Sequence, residues 1–241
     1  MRVTIVNLNV GADDLDGCRN IAAALTALGV AEAPIVHFAE LRKAPGEIEL
    51  GDALVLGPQG TPFAAYDREF LPWLQSFALG SPLPILAICG GMQALTLALG
   101  GSLETVDGGA QAQGTDYGSR PRIQGVTPVT LQTDALQTGA WPAWLRDAAP
   151  NLAGDWREAG AQVWQSHAEQ PRSIPSDLHL LASSARTPIE AWAHPTRRWL
   201  ASQFHPERGW RSGDPAQGCL AGKVWMQAWL SAVDLARQAE L

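Results

Sequence analysis

Residues 85–101 read ILAICGGMQALTLALGG, and this stretch joins two different hydrophobic patterns around a single cysteine. Its first four residues, 85–88, form a short apolar run that is typical of a buried strand in a parallel sheet. From Met92 onward the residues are good helix formers, and the glycine pair at 100–101 predicts the end of that helix. Cys89 is therefore expected at a strand-to-helix turn.

A cysteine at such a turn is suited to nucleophilic chemistry. The turn exposes the side chain above the edge of the sheet, and the positive end of the following helix favours the thiolate over the thiol. Small residues on either side, Ala87 and Gly91, allow the backbone to turn tightly, and the amide of Gly90 is placed to donate to an oxyanion. The alternative is a buried cysteine that acts as a small hydrophobe. The adjacent glycines favour the nucleophile.

Length, charge and cysteine content limit the classes of protein to consider. The 241 residues can bury one substantial core, and without an internal repeat or long polar linker they predict a single domain over 1–241. A net charge of -7 argues against a nucleic-acid or anionic-membrane partner. The initial apolar run is too short for a signal peptide and no stretch approaches a membrane span, so a cytoplasmic protein is expected. Neither cysteine nor histidine spacing indicates a metal site.

Strand and helix patterns alternate along the first hundred residues. The alternation predicts an α/β fold with a doubly wound, mainly parallel sheet flanked by helices on both faces. The predicted strands are 3–7, 34–38, 53–56 and 85–88. The predicted helices include one that starts near the possible caps at 13, 14 and 16 and runs up to Gly29, and another at 66–79.

The second half of the chain has a different pattern. Its short strand candidates are separated by turn residues and predict additional mixed or antiparallel strands; they lie at 126–131, 163–165, 178–182, 189–193 and 199–204. Residues 139–160 carry three tryptophans and are interpreted as a loop or short helix. Packing of this segment on the core is favoured over a surface that binds a partner. A final helix is predicted over 219–238.

A cysteine that must expel an amine needs a histidine to carry protons and a group to orient that histidine. In QFHPE, residues 203–207, an extended backbone projects His205 and Glu207 to the same side. Pro206 favours that extended conformation at His205. His194 also precedes a proline, but a threonine stands where the orienting acid would be. His205 is therefore the candidate base.

These two elements together resemble the class I glutamine amidotransferases. Residues 87–93, AICGGMQ, are similar to the GxCxGxQ motif of that family, with alanine in place of the first glycine. The resemblance spans about residues 50–210 and implies a flavodoxin-like fold with Cys89, His205 and Glu207 as the catalytic triad. It also implies that Gln93 helps to bind substrate glutamine.

The resemblance implies further roles for a loop near the nucleophile. The stretch LVLGPQGTP, residues 54–62, resembles the family's glycine-rich loop, whose backbone supplies an oxyanion donor. Gln59 and Gly60 are the candidates for that donor, beside Gly90.

A second segment resembles one particular branch of the family. VWQSH, residues 163–167, is similar to the VWxSH segment in the glutaminase domain of GMP synthase, where backbone groups bind the amino-acid end of the substrate. Ser166 and His167 are therefore expected to line the pocket. A short strand that ends in two polar residues is an equally adequate interpretation.

The resemblance implies hydrolysis of the side-chain amide of glutamine to glutamate and ammonia through a Cys89 thioester, with no metal or organic cofactor. Nothing in the sequence resembles an ATP-dependent synthetase domain, so a synthase that accepts the ammonia would be a separate chain. The alternatives are a stand-alone γ-glutamyl hydrolase, a non-enzymatic regulatory relative of the fold and a redox-sensing cysteine protein. The intact triad disfavours the last two.

Overall fold

The computed structural model describes residues 1–44, 46–108, 120–132, 141–214 and 216–239. The strands are β1 (Val3–Asn7), β2 (Ile35–His37), β3 (Ala53–Leu56), β4 (Ile85–Ile88), β5 (Ser102–Thr105), β6 (Ile123–Pro128), β7 (Thr130–Leu131), β8 (Gln162–His167), β9 (Glu169–Ser173), β10 (His179–Ser183), β11 (Ala191–Ala193) and β12 (Trp199–Ser202). The helices are α1 (Asp16–Ala27), α2 (Phe38–Lys43), α3 (Phe70–Gly80), α4 (Gly90–Ala98), α5 (Ala143–Ala148), α6 (Leu152–Glu158) and α7 (Leu220–Ala239).

The main sheet has the strand order β2-β1-β3-β4-β12-β11-β10-β7. In this order the neighbours β2, β1, β3, β4 and β12 pair in parallel. The neighbours β12, β11, β10 and β7 pair antiparallel. Two further two-stranded antiparallel sheets join β5 to β9 and β6 to β8. The predicted mainly parallel sheet with additional antiparallel strands in the second half is confirmed.

Alternate residues of the central strands point to opposite faces of the sheet, and each face carries its own apolar cluster. Leu86 and Ile88 of β4 belong to the cluster that includes α1 and α7 residues. Ile85 and Ala87 belong to the cluster that includes α3 and α4 residues. All four side chains of β4 are consequently buried, which explains why the strand is a continuous apolar run rather than an alternating one.

Two elements differ from the sequence-based expectation for local reasons. The predicted helix at 66–79 begins at Phe70, because Asp67 forms a turn ahead of it: its carboxylate accepts from the Glu69 amide at 2.9 Å and its carbonyl from the Phe70 amide at 3.1 Å. The predicted strand at 126–131 is divided between two sheets. At the division the Val129 amide donates to the Ala161 carbonyl at 2.9 Å, so β6 pairs with β8 and β7 with β10.

The tryptophan-rich segment forms α5 and α6 over the residues that are described, and both helices pack against α7. Trp141 and Trp156 are buried, and the indole of Trp156 donates to the Val129 carbonyl at 3.1 Å. These contacts support packing as the role of the segment, whose residues 139–140 lie outside the described ranges. No helix in the described part of the chain is both long and apolar enough to cross a membrane.

Candidate active site

Cys89 connects the end of β4 to the start of α4 in a conformation that is uncommon for a residue with a side chain. Its φ and ψ are +50° and -111°, outside the main allowed regions. Its amide donates to the Ser202 carbonyl at 2.7 Å, and its carbonyl accepts from the Gln93 amide at 3.0 Å as the first turn of α4 forms. The chain thus holds the cysteine at the predicted strand-to-helix turn by bonds on both sides.

The glycines after the cysteine are required by close backbone contacts. A Cβ at Gly91 would overlap the Leu56 carbonyl oxygen at the end of β3. A Cβ at Gly90 would lie only 2.8 Å from the Gln59 nitrogen. Ala87, where the family motif has glycine, is fully buried, and its methyl belongs to the apolar cluster that includes α3 and α4 residues. The two glycines therefore allow the loop after β3 to approach the first turn of α4.

His205 reaches the same site from the end of β12, the parallel neighbour of β4. Its Nδ1 lies 2.8 Å from Oε1 of Glu207, whose side chain is 1% exposed. Its backbone amide donates to the Trp164 carbonyl of β8 at 2.8 Å, which anchors the segment. Burial disfavours the imidazolium, but the Glu207 carboxylate and the Cys89 thiolate outweigh that effect and raise the pKa of His205 well above its usual value.

A pocket of about 230 Å³ brings together most of the residues predicted from the sequence. Its lining includes Cys89, His205, Gln93, Ser166, His167, Gln59 and Gly60, together with Asn9, Asp14 and Arg122. Glu207 lies behind His205, and Gly90 lies against the Gln59 loop. Across the residues that the structure describes, no three His, Cys, Asp or Glu side chains converge as metal ligands.

Three of the four residues in the 57–60 loop have no backbone N–H that is free to donate to the pocket. The Gly57 amide donates to a β1 carbonyl at 3.1 Å, and Pro58 has no N–H. The Gly60 amide donates to Oδ1 of Asn9 at 2.8 Å. Of the two residues predicted as donors in this loop, Gly60 thus already uses its amide in a hydrogen bond within the protein. The Gln59 amide, beside the first residue of α4, is the remaining candidate.

The side chain of Gln93 is buried at the base of the pocket. Its Nε2 donates to the Glu169 carbonyl at 2.5 Å and to Oε1 of Gln203 at 3.1 Å. Ser166 presents its carbonyl oxygen 3.9 Å from Sγ of Cys89. Gln93 and Ser166 both line the pocket.

His167 is buried beside Ser166 and is neutral at physiological pH. Burial, reinforced by the positive charges of His205, Arg186 and Arg122, lowers the pKa of His167 to about 3. Its Nε2 lies 3.4 Å from the Thr187 hydroxyl. His167 therefore forms part of the pocket wall as an uncharged side chain.

Several residues at the site were not found from the sequence, among them Asp14 and Arg122 of the pocket lining. Gln203 lies against the nucleophile, with Nε2 3.6 Å from Sγ of Cys89. Its position two residues before His205 is a signal that could have identified it, because alternate residues of an extended segment face the same side. Asn9 braces the loop at Gly60, and no local sequence pattern indicates that contact.

The family model for class-I glutamine amidotransferases matches residues 18–217. This chain belongs to that family. Among curated proteins, the glutamine-hydrolyzing GMP synthases of Cronobacter sakazakii and Yersinia enterocolitica are 31% and 33% identical to the amidotransferase chain over 152 and 153 residues. Each match covers 63% of this chain but only 24% of the relative. The match therefore spans about a quarter of the length of these relatives.

Solved structures share the fold of this amidotransferase chain. A protein from Thermoplasma acidophilum, provisionally assigned as one subunit of a GMP synthase, has a TM-score of 0.64 at 20% identity and covers 100% of this chain and 99% of its own. A glutamine amidotransferase from Thermotoga maritima has a TM-score of 0.56 at 18% identity, with 100% and 85% covered. The predicted family and fold class are confirmed.

Behind the pocket of the amidotransferase lies a buried acid that the sequence did not indicate. Both carboxylate oxygens of Glu190 accept from Nε2 of Gln165, at 2.7 and 2.9 Å. Burial raises the pKa of Glu190 to about 7. The carbonyl of the same residue accepts from the Gln203 amide at 2.7 Å, which ties this acid to the segment that carries His205.

Proposed function

We propose that this chain hydrolyses the side-chain amide of glutamine to glutamate and ammonia through a thioester at Cys89. One observation carries the proposal: a cysteine in a strained turn shares a pocket with a histidine whose other nitrogen is held by a buried carboxylate. This is the arrangement that nucleophilic acyl transfer requires, with nucleophile, proton carrier and orienting group. Membership of the class-I family supports glutamine as the substrate.

In the first half of the proposed reaction, the Cys89 thiolate attacks the amide carbon and forms the C–S bond, and the carbonyl electron pair moves to oxygen. The amides of Gly90 and Gln59 are the proposed donors to this oxyanion, and one such donor typically contributes about 3 kcal/mol. The imidazolium of His205 then protonates the nitrogen as the C–N bond breaks. Ammonia leaves, and the thioester remains on the protein.

In the second half, water replaces ammonia. His205, now neutral, takes a proton from the water as its oxygen attacks the thioester carbon. The C–S bond breaks with its electron pair on sulfur, which restores the thiolate and releases glutamate. Glu207 stabilises the imidazolium each time it forms. No step in this sequence calls for a metal or an organic cofactor.

The amino-acid end of glutamine is proposed to bind along the β8 wall, at Ser166 and His167, with Gln93 at the base. The chain is proposed to act as one domain over residues 1–241 that passes ammonia to a synthase on a separate chain. Support for a synthase as the partner comes from the curated relatives, which are glutamine-hydrolyzing GMP synthases matched over 24% of their length.

The test is release of ammonia and glutamate from glutamine by the purified chain and its Cys89→Ser variant. The matched control is Cys219→Ser, at a thiol that is fully buried at the start of α7 and outside the pocket. Loss of turnover in the first variant only is the expected result. Unchanged turnover in Cys89→Ser would refute the mechanism.

A glutamine-analogue electrophile gives a readout that does not depend on turnover. The expected product is a single adduct at Cys89, located by peptide mass spectrometry. An adduct without ammonia release from glutamine would direct the substrate search to other γ-glutamyl compounds, which the same purified protein can be offered in turn. Absence of both adduct and turnover would contradict the proposed enzyme.

A further inference from the structure

The carboxamide of Gln203 lies between the nucleophile and Gln93 and is fully buried. Its Nε2 is 3.6 Å from Sγ of Cys89, and its Oε1 is 3.1 Å from Nε2 of Gln93. Its backbone amide donates to the Glu190 carbonyl at 2.7 Å. The side chain is therefore held at both ends, in direct contact with the atom that attacks the substrate in the proposed reaction.

The orientation of this carboxamide follows from its neighbours. Nε2 of Gln93 also lies 2.5 Å from the Glu169 carbonyl, which can only accept a hydrogen bond. That nitrogen is therefore a donor, so the Gln203 atom opposite it must be the accepting oxygen. The Gln203 amino group consequently faces sulfur. The hydrogen-bond network, rather than an arbitrary choice between oxygen and nitrogen, fixes the direction of the donor.

A donor that faces sulfur favours the thiolate over the thiol, because a hydrogen bond to the charged form is the stronger one. Unlike His205, a carboxamide does not gain or lose a proton during the reaction. It can therefore stabilise sulfur at two moments: when the thiolate attacks, and when the thiolate is expelled from the thioester after His205 has returned to the imidazolium.

The other charged or titratable groups of the pocket that holds this sulfur, together with the partner of His205, come from four elements. They are His205 with Glu207 from the segment after β12, His167 from β8, Asp14 from the segment before α1 and Arg122 from the start of β6. His167 is neutral, and the exposed Asp14 and Arg122 line the pocket with opposite charges.

We propose that Gln203 is a catalytic residue that donates a hydrogen bond to Sγ of Cys89 and stabilises its thiolate during attack and expulsion. The proposal deepens the glutaminase function above and rests on it for the catalytic role. The contact with sulfur can nevertheless be tested without glutamine.

The test is the rate of Cys89 alkylation by iodoacetamide as a function of pH, read by peptide mass spectrometry. Gln203→Met removes both polar atoms in an unbranched chain of similar length, and Gln203→Glu keeps the acceptor for Gln93 but places a carboxylate beside sulfur. The control is Gln132→Met, at an amide that donates to the Ser183 hydroxyl at 2.8 Å, outside the pocket. Thermal unfolding of each variant is measured alongside.

The expected midpoint of the alkylation profile rises by about one pH unit in Gln203→Met, which corresponds to about tenfold less thiolate near neutral pH, and by more in Gln203→Glu. Gln132→Met keeps the wild-type profile. Folded Gln203 variants with wild-type midpoints would overturn the proposal, whether or not glutamine is hydrolysed. Shifted midpoints in a protein that leaves glutamine intact would instead retain the sulfur contact and reject the glutaminase function.

Discussion

Glu207→Gln removes one negative charge from the buried partner of His205 and keeps an oxygen that can accept from Nδ1. Two unit charges at the observed 2.8 Å attract by about 6 kcal/mol at an effective dielectric constant of about 20. Removing one partner of a buried pair typically costs about 3–5 kcal/mol. Because the neutral amide retains the hydrogen bond, we take the lower figure as the loss of imidazolium stabilisation during the reaction, and a loss of about 100-fold in kcat is expected.

The pH dependence of the same variant provides a second, independent measure. In the wild type the pKa of His205 is raised well above 6.5, so the imidazolium persists through neutral pH and is lost only as the pH rises through that elevated value. Without the Glu207 charge the pKa of His205 is expected to fall, and the alkaline limb of the proposed glutaminase activity is expected to move to lower pH. Glu158→Gln, the same change at an exposed position of α6, is the control. Wild-type kcat and an unmoved alkaline limb in Glu207→Gln would refute the role given to this carboxylate.

Two further predictions concern stability and are measured by thermal unfolding. Glu190 has a pKa raised to about 7, so the stability that it contributes is present below pH 4.5 and lost as pH rises through 7. The variant Glu190→Gln keeps a neutral partner for Gln165. At pH 8 its free energy of unfolding should exceed that of the wild type by up to about 3 kcal/mol, and at pH 5 this advantage should be lost. An advantage that is equal at both pH values would contradict the ionisation of Glu190 as its cause. Gly91→Ala should lower the free energy of unfolding by several kcal/mol and suppress Cys89 labelling, because the added Cβ overlaps a backbone carbonyl. The control is Gly154→Ala, in open space within α6, which should raise the free energy of unfolding by up to about 1 kcal/mol. Equal unfolding midpoints for the two alanine variants would show that the close approach is not a constraint.

The parts of this site that could be predicted from sequence are those whose physical cause is local. The turn at Cys89 is indicated by adjacent glycines, where a side chain would overlap a backbone carbonyl and a neighbouring loop. The pairing of His205 with Glu207 follows from their spacing around a proline. A buried central strand such as β4 likewise shows its burial in four consecutive apolar residues.

The parts that were missed depend on contacts between distant segments. The Gly60 amide is engaged by Asn9, 51 positions away, so choosing between Gln59 and Gly60 required the three-dimensional arrangement. The division of 126–131 into two strands depends on which partners are available on either side of Val129. The contact between Gln203 and the nucleophile joins residues 114 positions apart, although the alternation toward His205 offered a partial signal.

The pairing of β4 with β12 has a consequence for how this molecule tolerates change in length. Ile88 lies opposite Ser202 in the paired strands. Cys89 follows Ile88, and the segment leading to His205 follows Ser202, so the strand pairing places the two side by side. More than a hundred residues separate the two strands along the chain, but the distance between the strands is set by their pairing and does not depend on that length. We therefore expect insertions or deletions in the intervening connections to leave Cys89 beside the segment that carries His205, whereas a shift of one residue in the β4–β12 register would separate them.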